Sequence, residues 1–382
     1  MSLSRADKGG FADWWWTIDR VAFFTTLGLI AVGLILAFAA SPAASGGPIT
    51  AGDFRYAVKQ IVFAAIAAAI MISSSQLNPR AIKMASAVLF VLSLAASLFV
   101  VMFGKEILGA RREIDFGFLS LQPSEFLKPS FAILAAAVLA ERSPLVARKE
   151  ILTFAMLLPA LVILVLQPDD GQTALLLALW ATMLFFDGAS IKWMAGLGLG
   201  GTALAGAGFF LIRHFHDRIV QYWTNEGWQT GLARKAFAHG GWTGVGPGAG
   251  TVKYWLPDAH SDFIFAVAGE EFGLWMCGLI ALLFAVLSVR LLLRSSRLRD
   301  PFARLAGASL GVLVALQAFI NMGVATTLLP AKGMTLPFIS YGGSSLFAVA
   351  LTMGFALSVT RQRPKVAERD ADLFAFLRAH PA

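Results

Sequence analysis

Residues able to carry chemistry gather in a few short polar stretches of an otherwise apolar chain. In "YWLPDAHSDFIFAVAGEEFG", residues 254–273, Asp262 stands where a polar turn gives way to an apolar run. Ser261 is a reasonable N-cap, which would put Asp262 at the first helical position, where the helix dipole favours an anion and keeps the carboxylate ionised. Such a group could accept a proton, coordinate a metal or steady a developing cation. A low pKa would make it a slow general base unless a neighbour or a bound anion raised it. Glu270 and Glu271 follow on the same run. At 1.5 Å and 100° per residue, Glu270 is ~12 Å deeper and ~80° around the helix, and Glu271 is ~180° around. The two cannot both join Asp262, so they read as buried ionic partners of Arg, Lys or backbone elsewhere in a helix bundle.

Other stretches add charge. "LGARREIDFGFLSLQPSEFLKPS", residues 108–130, carries Arg111 and Arg112, then Glu125 and Lys128 three apart on one helix face, with Pro129 removing the helical donor of the Glu125 carbonyl. This pair fits a substrate contact, or an ion pair that fixes helix depth. In "LQPDDGQTA", residues 166–174, Asp169 sits in a tight turn, where it could meet a cation or cap the next helix. "LLPAKGMTLPFISYGGSSL", residues 328–346, offers Lys332 as a cation, and its "SYGGSS" provides hydroxyls with close backbone approach or tight helix packing. "HGGWTGVGPGAGTVKYWLP" predicts an ordered loop lined by backbone amides.

The elements that must hold these residues are membrane helices. The chain of 382 residues is 57% hydrophobic and 14% charged, with a mean hydropathy of +0.71. Apolar runs near 21–40, 57–75, 82–103, 124–141, 151–166, 172–187, 191–212, 263–290, 302–328 and 338–360 predict an all-α polytopic bundle of ten spans. With both termini cytoplasmic, most of the 31 Lys and Arg residues fall inside, the densest clusters being "RLLLRSSRLR" and "RQRPK". The domain reading is a cytoplasmic segment over 1–20, a transmembrane domain over 21–361 with a large extracytoplasmic loop at 213–261, and a cytoplasmic tail over 362–382. Basic residues dispersed over loops form no stripe for nucleic acid. The single cysteine, Cys277, gives no disulfide framework and no cysteine metal site.

In this orientation the polar stretches share the outer face. Carboxylates at Asp169 and Asp262, cations at Arg111, Arg112, Lys128 and Lys332 and a glycine-rich loop suit a substrate with an anionic headgroup and a hydrophobic tail, such as a lipid-linked diphosphate.

"LSLQPSEFLK", "QPDDGQT", "LPDAHSDFIFAVAGEEFG", "NMGV" and "LLPAKGMTLPFISYGGSSL" resemble, in order and placement, the signatures of the SEDS family (shape, elongation, division and sporulation), and the likeness runs from about residue 14 to 361. "GMTLPFISYGGSS" and "WWWTIDR" are more similar to its division branch than to its elongation branch. The resemblance implies a ten-helix glycosyltransferase that polymerises lipid II into peptidoglycan glycan strands at the outer face of the cytoplasmic membrane during division. Its implied partners are a class B penicillin-binding transpeptidase and other divisome membrane proteins. It also implies Asp262 as the catalytic carboxylate, activating an acceptor hydroxyl or holding a divalent cation. Arg111, Arg112, Glu125, Lys128, Asp169, Gln229, His260, Lys332 and Ser340 are the implied substrate contacts, and no metal ligand set is assigned. Leu108, Glu113 and Ala331 depart from the family pattern. A lipid II flippase is the competing reading, and it would need ionisable residues continuing to the inner face.

Overall fold

The structure, a computed structural model, describes residues 10–45, 54–106, 110–141, 148–211, 213–224, 227–330 and 333–361. The segment 362–382, residues 1–9 of the expected N-terminal segment, and Leu108, Ala331 and Lys332 lie outside the described residues.

Each of the ten apolar runs contains a helix. A short α1 (Gly10–Thr17) leads into α2 (Arg20–Ser45), α3 (Arg55–Ser75), α4 (Pro79–Phe103), α5 (Ser124–Leu139), α6 (Lys149–Leu166), α7 (Asp170–Asp187) and α8 (Ile191–Leu211). Then come α9 (Arg213–Trp223), α10 (Trp228–Gly240), α11 (Ile264–Ser296), α12 (Pro301–Ala325) and α13 (Gly343–Val359). Between α4 and α5, β1 (Ile114–Asp115) pairs antiparallel with β2 (Ser120–Leu121). Helix starts obey local chemistry. Asn78 caps α4 by accepting from the Ala81 amide at 2.8 Å, Asp300 caps α12 by accepting from the Ala303 amide at 2.9 Å, and each cap is followed by a proline that needs no donor.

The expected ten spans need correcting in one respect. Among the described residues, α2, α3, α4, α6, α11 and α12 are long and apolar enough to cross a membrane alone, and a seventh crossing arises if α8 is joined to α9 and α10 across a 103° bend. At 1.5 Å per residue, α5 with 16 residues and α13 with 17 reach only ~24–26 Å of a ~30 Å hydrocarbon core. α7 is bounded by Asp170 and Asp187. All three begin at the same end of the bundle, where polar turns replace their first apolar residues.

The two ends are stitched differently. At one end the turn before α11 bonds to the segment between α12 and α13, since the Tyr341 amide donates to the His260 carbonyl at 2.9 Å. At the other, the Asp19 carboxylate accepts from Arg290 Nε at 2.8 Å, the Trp14 indole donates to Ser75 at 2.8 Å, and Arg361 Nε donates to Thr17 at 3.0 Å. α13 and α3 approach closely, because a Cβ on Gly354 would collide with Ser74 Oγ.

The expected loop at 213–261 contains two helices and a clasp. α11 is broken at Gly273 (φ 75°, ψ −172°), and the glycine-rich turn after α10 inserts its backbone there. The amides of Val245 and Gly246 donate to the carbonyls of Glu270 and Glu271, each at 3.0 Å, and the Leu274 amide donates to the Gly241 carbonyl at 3.0 Å. The Glu270 carboxylate accepts from the amides of Thr251, Val252 and Lys253 at 2.7–2.9 Å and meets His239 Nδ1 at 2.9 Å. The Glu271 carboxylate accepts from the Gly248 amide at 2.9 Å and pairs with the Lys253 ammonium, which also donates to the Ala39 carbonyl at 2.7 Å. Both glutamates are fully buried. Their side-chain partners come from this loop, and Lys253 ties the cluster to α2 through the Ala39 carbonyl.

Candidate active site

Asp262 is held through its own turn. The amides of Ser261 and Phe263 donate to the Asp258 carbonyl at 3.0 and 3.2 Å, closing the chain on itself before α11. Three successive carbonyls are then pinned by three donors from α12 and the segment beyond it. Tyr341 N donates to His260 O, Ser340 Oγ to Ser261 O at 2.5 Å, and Asn321 Nδ2 to Asp262 O at 2.8 Å. Asn321 Nδ2 also reaches Met334 O at 2.6 Å, so one amide joins both segments. The Asp262 side chain has almost no conformational slack at its base, while the residue stays partly exposed.

Asp262 is not the N-capped, ionised first residue of a helix. α11 starts at Ile264, with Phe263 before it. Burial among protein atoms pushes the Asp262 carboxyl up to about 7, and the negative charges of Asp258 and Asp169 raise it further against the opposing pull of Arg112. A carboxylate that titrates near neutrality is suited to proton abstraction.

Arg112 comes from the strand-containing connection before α5. Its Nε donates to the Gln167 carbonyl at 3.0 Å and its Nη2 to the Pro168 carbonyl at 2.5 Å. It therefore satisfies the carbonyl end of α6, and among the described residues no carboxylate is hydrogen-bonded to it. A Cβ placed on Gly333 would lie 3.2 Å from Asp262 Oδ2 and 3.8 Å from Arg112 Nη1, so glycine leaves the space between the two groups open. Asp169 caps α7, its Oδ1 accepting from the Gln172 amide at 3.2 Å, and its Oδ2 meets Gln122 Nε2 at 3.4 Å. Its carboxyl is raised by burial, with Arg112 opposing.

Glu125 and Lys128 form a buried pair at 2.7 Å, with side chains 6% and 2% exposed. Gln172 Nε2 donates to Glu125 Oε1 at 2.8 Å, and Lys128 Nζ also donates to Gln317 Oε1 at 3.3 Å. Lys128 is thus hydrogen-bonded to its neighbours, and this network joins α5, α7 and α12. Ser340 is engaged in the same way. It is buried, and its hydroxyl accepts from the Leu336 amide at 2.8 Å while donating to Ser261. Arg111 is exposed and lies 3.7 Å from Glu106. Gln229 is the second residue of α10 and makes no side-chain hydrogen bond among the described residues. His260 packs its ring 4.9 Å from Tyr56 and 5.4 Å from Tyr341, and burial lowers its pKa. Gln172, Gln317 and Asn321 went unassigned in the sequence. "NMGV" contains Asn321, but nothing in its spacing shows which carbonyl its side chain would hold.

Among the described residues no three His, Cys, Asp or Glu side chains stand close enough together to hold a metal ion. A divalent cation here would need further ligands from a bound anion. The amino ends of α5, α7, α11 and α13 lie at this same end of the bundle, and unpaired amides at helix starts favour anions.

These features define a polytopic helical membrane protein with a near-neutral carboxylate and an arginine facing one open space beside helix amino ends. The family model described as cell cycle protein, for FtsW, RodA and SpoVE, matches residues 19–365. The chain belongs to that family. It is 38% identical to the probable peptidoglycan glycosyltransferase FtsW of Caulobacter vibrioides over 95% of this chain and 94% of that one. It is 34% identical to the protein of the same description from Alkalilimnicola ehrlichii, over 94% and 92% of the two chains. Among solved structures it resembles a chain from a peptidoglycan synthase complex that coordinates polymerization and crosslinking, with a TM-score of 0.75 at 25% identity, covering 90% of this chain and 97% of that one. It also resembles the rod shape determining protein RodA of Thermus thermophilus, with a TM-score of 0.69 at 25% identity over 92% and 99% of the chains.

Proposed function

We propose that this chain is a peptidoglycan glycosyltransferase that polymerises lipid II at the outer face of the cytoplasmic membrane during cell division. The observation that carries the reading is Asp262, fixed through three backbone carbonyls, titrating near neutrality and facing Arg112 across the gap left by Gly333. Asp262 takes the proton of the acceptor sugar hydroxyl as that oxygen bonds to the anomeric carbon of the donor sugar. The bond from that carbon to the donor's diphosphate oxygen breaks, and the diphosphate leaves with the electron pair. Arg112 meets the charge that develops on it. Asp169 holds the start of α7 and, with Asp258, keeps the Asp262 carboxyl high. Glu125, Lys128 and Ser340 position these elements. Gln229 and His260 are assigned to substrate contact by their family motifs, and Arg111 and Lys332 by their place among the outer-face cations. A divalent cation, where one takes part, would be held by Asp262 and would supply further positive charge toward the leaving diphosphate.

The similarity to a chain from a peptidoglycan synthase complex supports a class B penicillin-binding transpeptidase as partner, alongside other divisome membrane proteins. Both termini are assigned to the cytoplasm and the protein to the septum. Purified protein incubated with labelled lipid II yields long glycan strands on a gel, and Asp262→Asn abolishes them while leaving the protein folded. Strands made at the original rate by folded Asp262→Asn protein would remove Asp262 from the chemistry.

A further inference from the structure

At the site end of the bundle, the first turns of α3 carry two cations that the mechanism leaves unused. Arg55, Tyr56 and Lys59 line a cavity of about 180 Å³. The Arg55 guanidinium lies 5.1 Å over the Tyr56 ring, and the Lys59 ammonium lies 5.2 Å over the Phe118 ring while donating to the Phe118 carbonyl at 3.3 Å. Among the described residues neither is ion-paired with a carboxylate. Beside them three rings cluster at tilted angles, with Tyr56 4.9 Å from His260 and edge-on to Tyr341 at 5.1 Å, and His260 5.4 Å from Tyr341. Next to Lys59 on α3, Gln60 donates to the Ser340 carbonyl at 3.2 Å. The turn of Arg55 and Lys59 is therefore tied to the same backbone that holds Asp262, and His260 stands two residues before that carboxylate.

Joining two diphosphate-linked saccharides requires two diphosphate positions at different distances from the reacting carbon. The leaving diphosphate is bonded to that carbon and must lie next to the base, where Arg112 is. The acceptor's diphosphate is at the far end of its disaccharide, separated from the attacking hydroxyl by both sugars. The Tyr56 ring beside Arg55 meets the rings of His260, two residues before Asp262, and Tyr341, and sugars pack their apolar faces on aromatic rings. Guanidinium and ammonium groups without counter-ions are what a diphosphate needs.

We propose that Arg55, Tyr56 and Lys59 form the diphosphate subsite of the acceptor substrate, with Tyr56, His260 and Tyr341 supporting its sugars on the way to Asp262. This rests on the polymerase reading above. An anionic phospholipid headgroup shares the phosphate chemistry, so the test separates the two.

Full-length Asp262→Asn protein in phosphatidylcholine nanodiscs is titrated with undecaprenyl diphosphate. Two bound per chain are expected, and one after adding Arg55→Gln and Lys59→Gln together. Unchanged stoichiometry and affinity in the triple variant overturns the subsite. So does loss of the second binding event when phosphatidylglycerol replaces phosphatidylcholine, because the pocket would then be a general lipid contact. In the active protein, Arg55→Gln/Lys59→Gln raises the KM for lipid II at least tenfold, proportionally more than it lowers kcat, and Arg55→Lys/Lys59→Arg restores the KM. A fall in kcat with KM unchanged also overturns it. The titration does not need turnover, so a protein that binds two diphosphates without making glycan would fail the polymerase reading, leaving Arg55 and Lys59 as a diphosphate site with no acceptor role.

Discussion

At the residue scale, protonation of one carboxylate sets the working pH. Asp262 titrates at about 7, above the ordinary aspartate value, so its proton is held below neutrality and released above it. The polymerisation rate should therefore rise with pH through about 7 and fall roughly tenfold per unit below it, as expected for a single essential base. Asp258→Asn removes one of the two negative charges that raise this carboxyl, so the midpoint should move to lower pH. Rates of purified protein on labelled lipid II between pH 5.5 and 8.5 check both statements, and a midpoint unmoved in Asp258→Asn would contradict them. The identity of Asp262 was legible in the sequence, because an acid between a polar turn and an apolar run invites a question. Its protonation was not. The low pKa expected from the helix dipole ignored Asp169, which lies 93 positions earlier in the chain and is brought near only by the folding of α7 against α5.

At the element scale, α11 has to be broken for the site to sit where it does. The stretch from Leu274 to Ser296 alone reaches ~34 Å, enough to cross the hydrocarbon core, so the roughly two and a half turns before Gly273 are available to carry Asp262 outward. Gly273 has a positive φ with an extended ψ, which a side chain hardly tolerates, and a Cβ there would collide with the Trp242 carbonyl oxygen. Gly273→Ala should lose ~1–3 kcal/mol from backbone conformation alone, and more from expelling the inserted turn. A lower melting temperature in detergent, together with loss of activity, is the expected outcome, and a variant as stable as the parent would show that the clasp can open at no cost. The helices themselves were legible, since apolar runs of about 17–25 residues leave few alternatives. The clasp was not, because amides of Val245, Gly248 and Thr251 that bond to α11 obey no residue pattern. The sequence showed only that Glu270 and Glu271 needed partners. It left open that backbone amides and Lys253 would provide them.

At the scale of the whole molecule, the ionic groups divide between the ends of an apolar bundle. The carboxylate and its surrounding helix amino ends occupy one end, while Asp19, enclosed and paired with Arg290 and Arg294, marks the other. Arg297, Arg299 and Arg304 belong with this second end, between α11 and the first turn of α12. Basic residues retained on the cytoplasmic side would put the Asp262 end outside. The native chain has one cysteine, Cys277, which is buried, so Cys277→Ala gives a background for accessibility labelling. Trp255→Cys replaces a side chain that is 72% exposed near the site, and Arg299→Cys an exposed one at the opposite end. A membrane-impermeant maleimide applied to intact spheroplasts should label the first and reach the second only after permeabilisation. The reverse pattern would put Asp262 in the cytoplasm, on the wrong side for building a wall. An enzyme whose product lies outside the membrane cannot work in that orientation, so this outcome would remove the polymerase reading even if the purified protein bound lipid-linked diphosphates tightly.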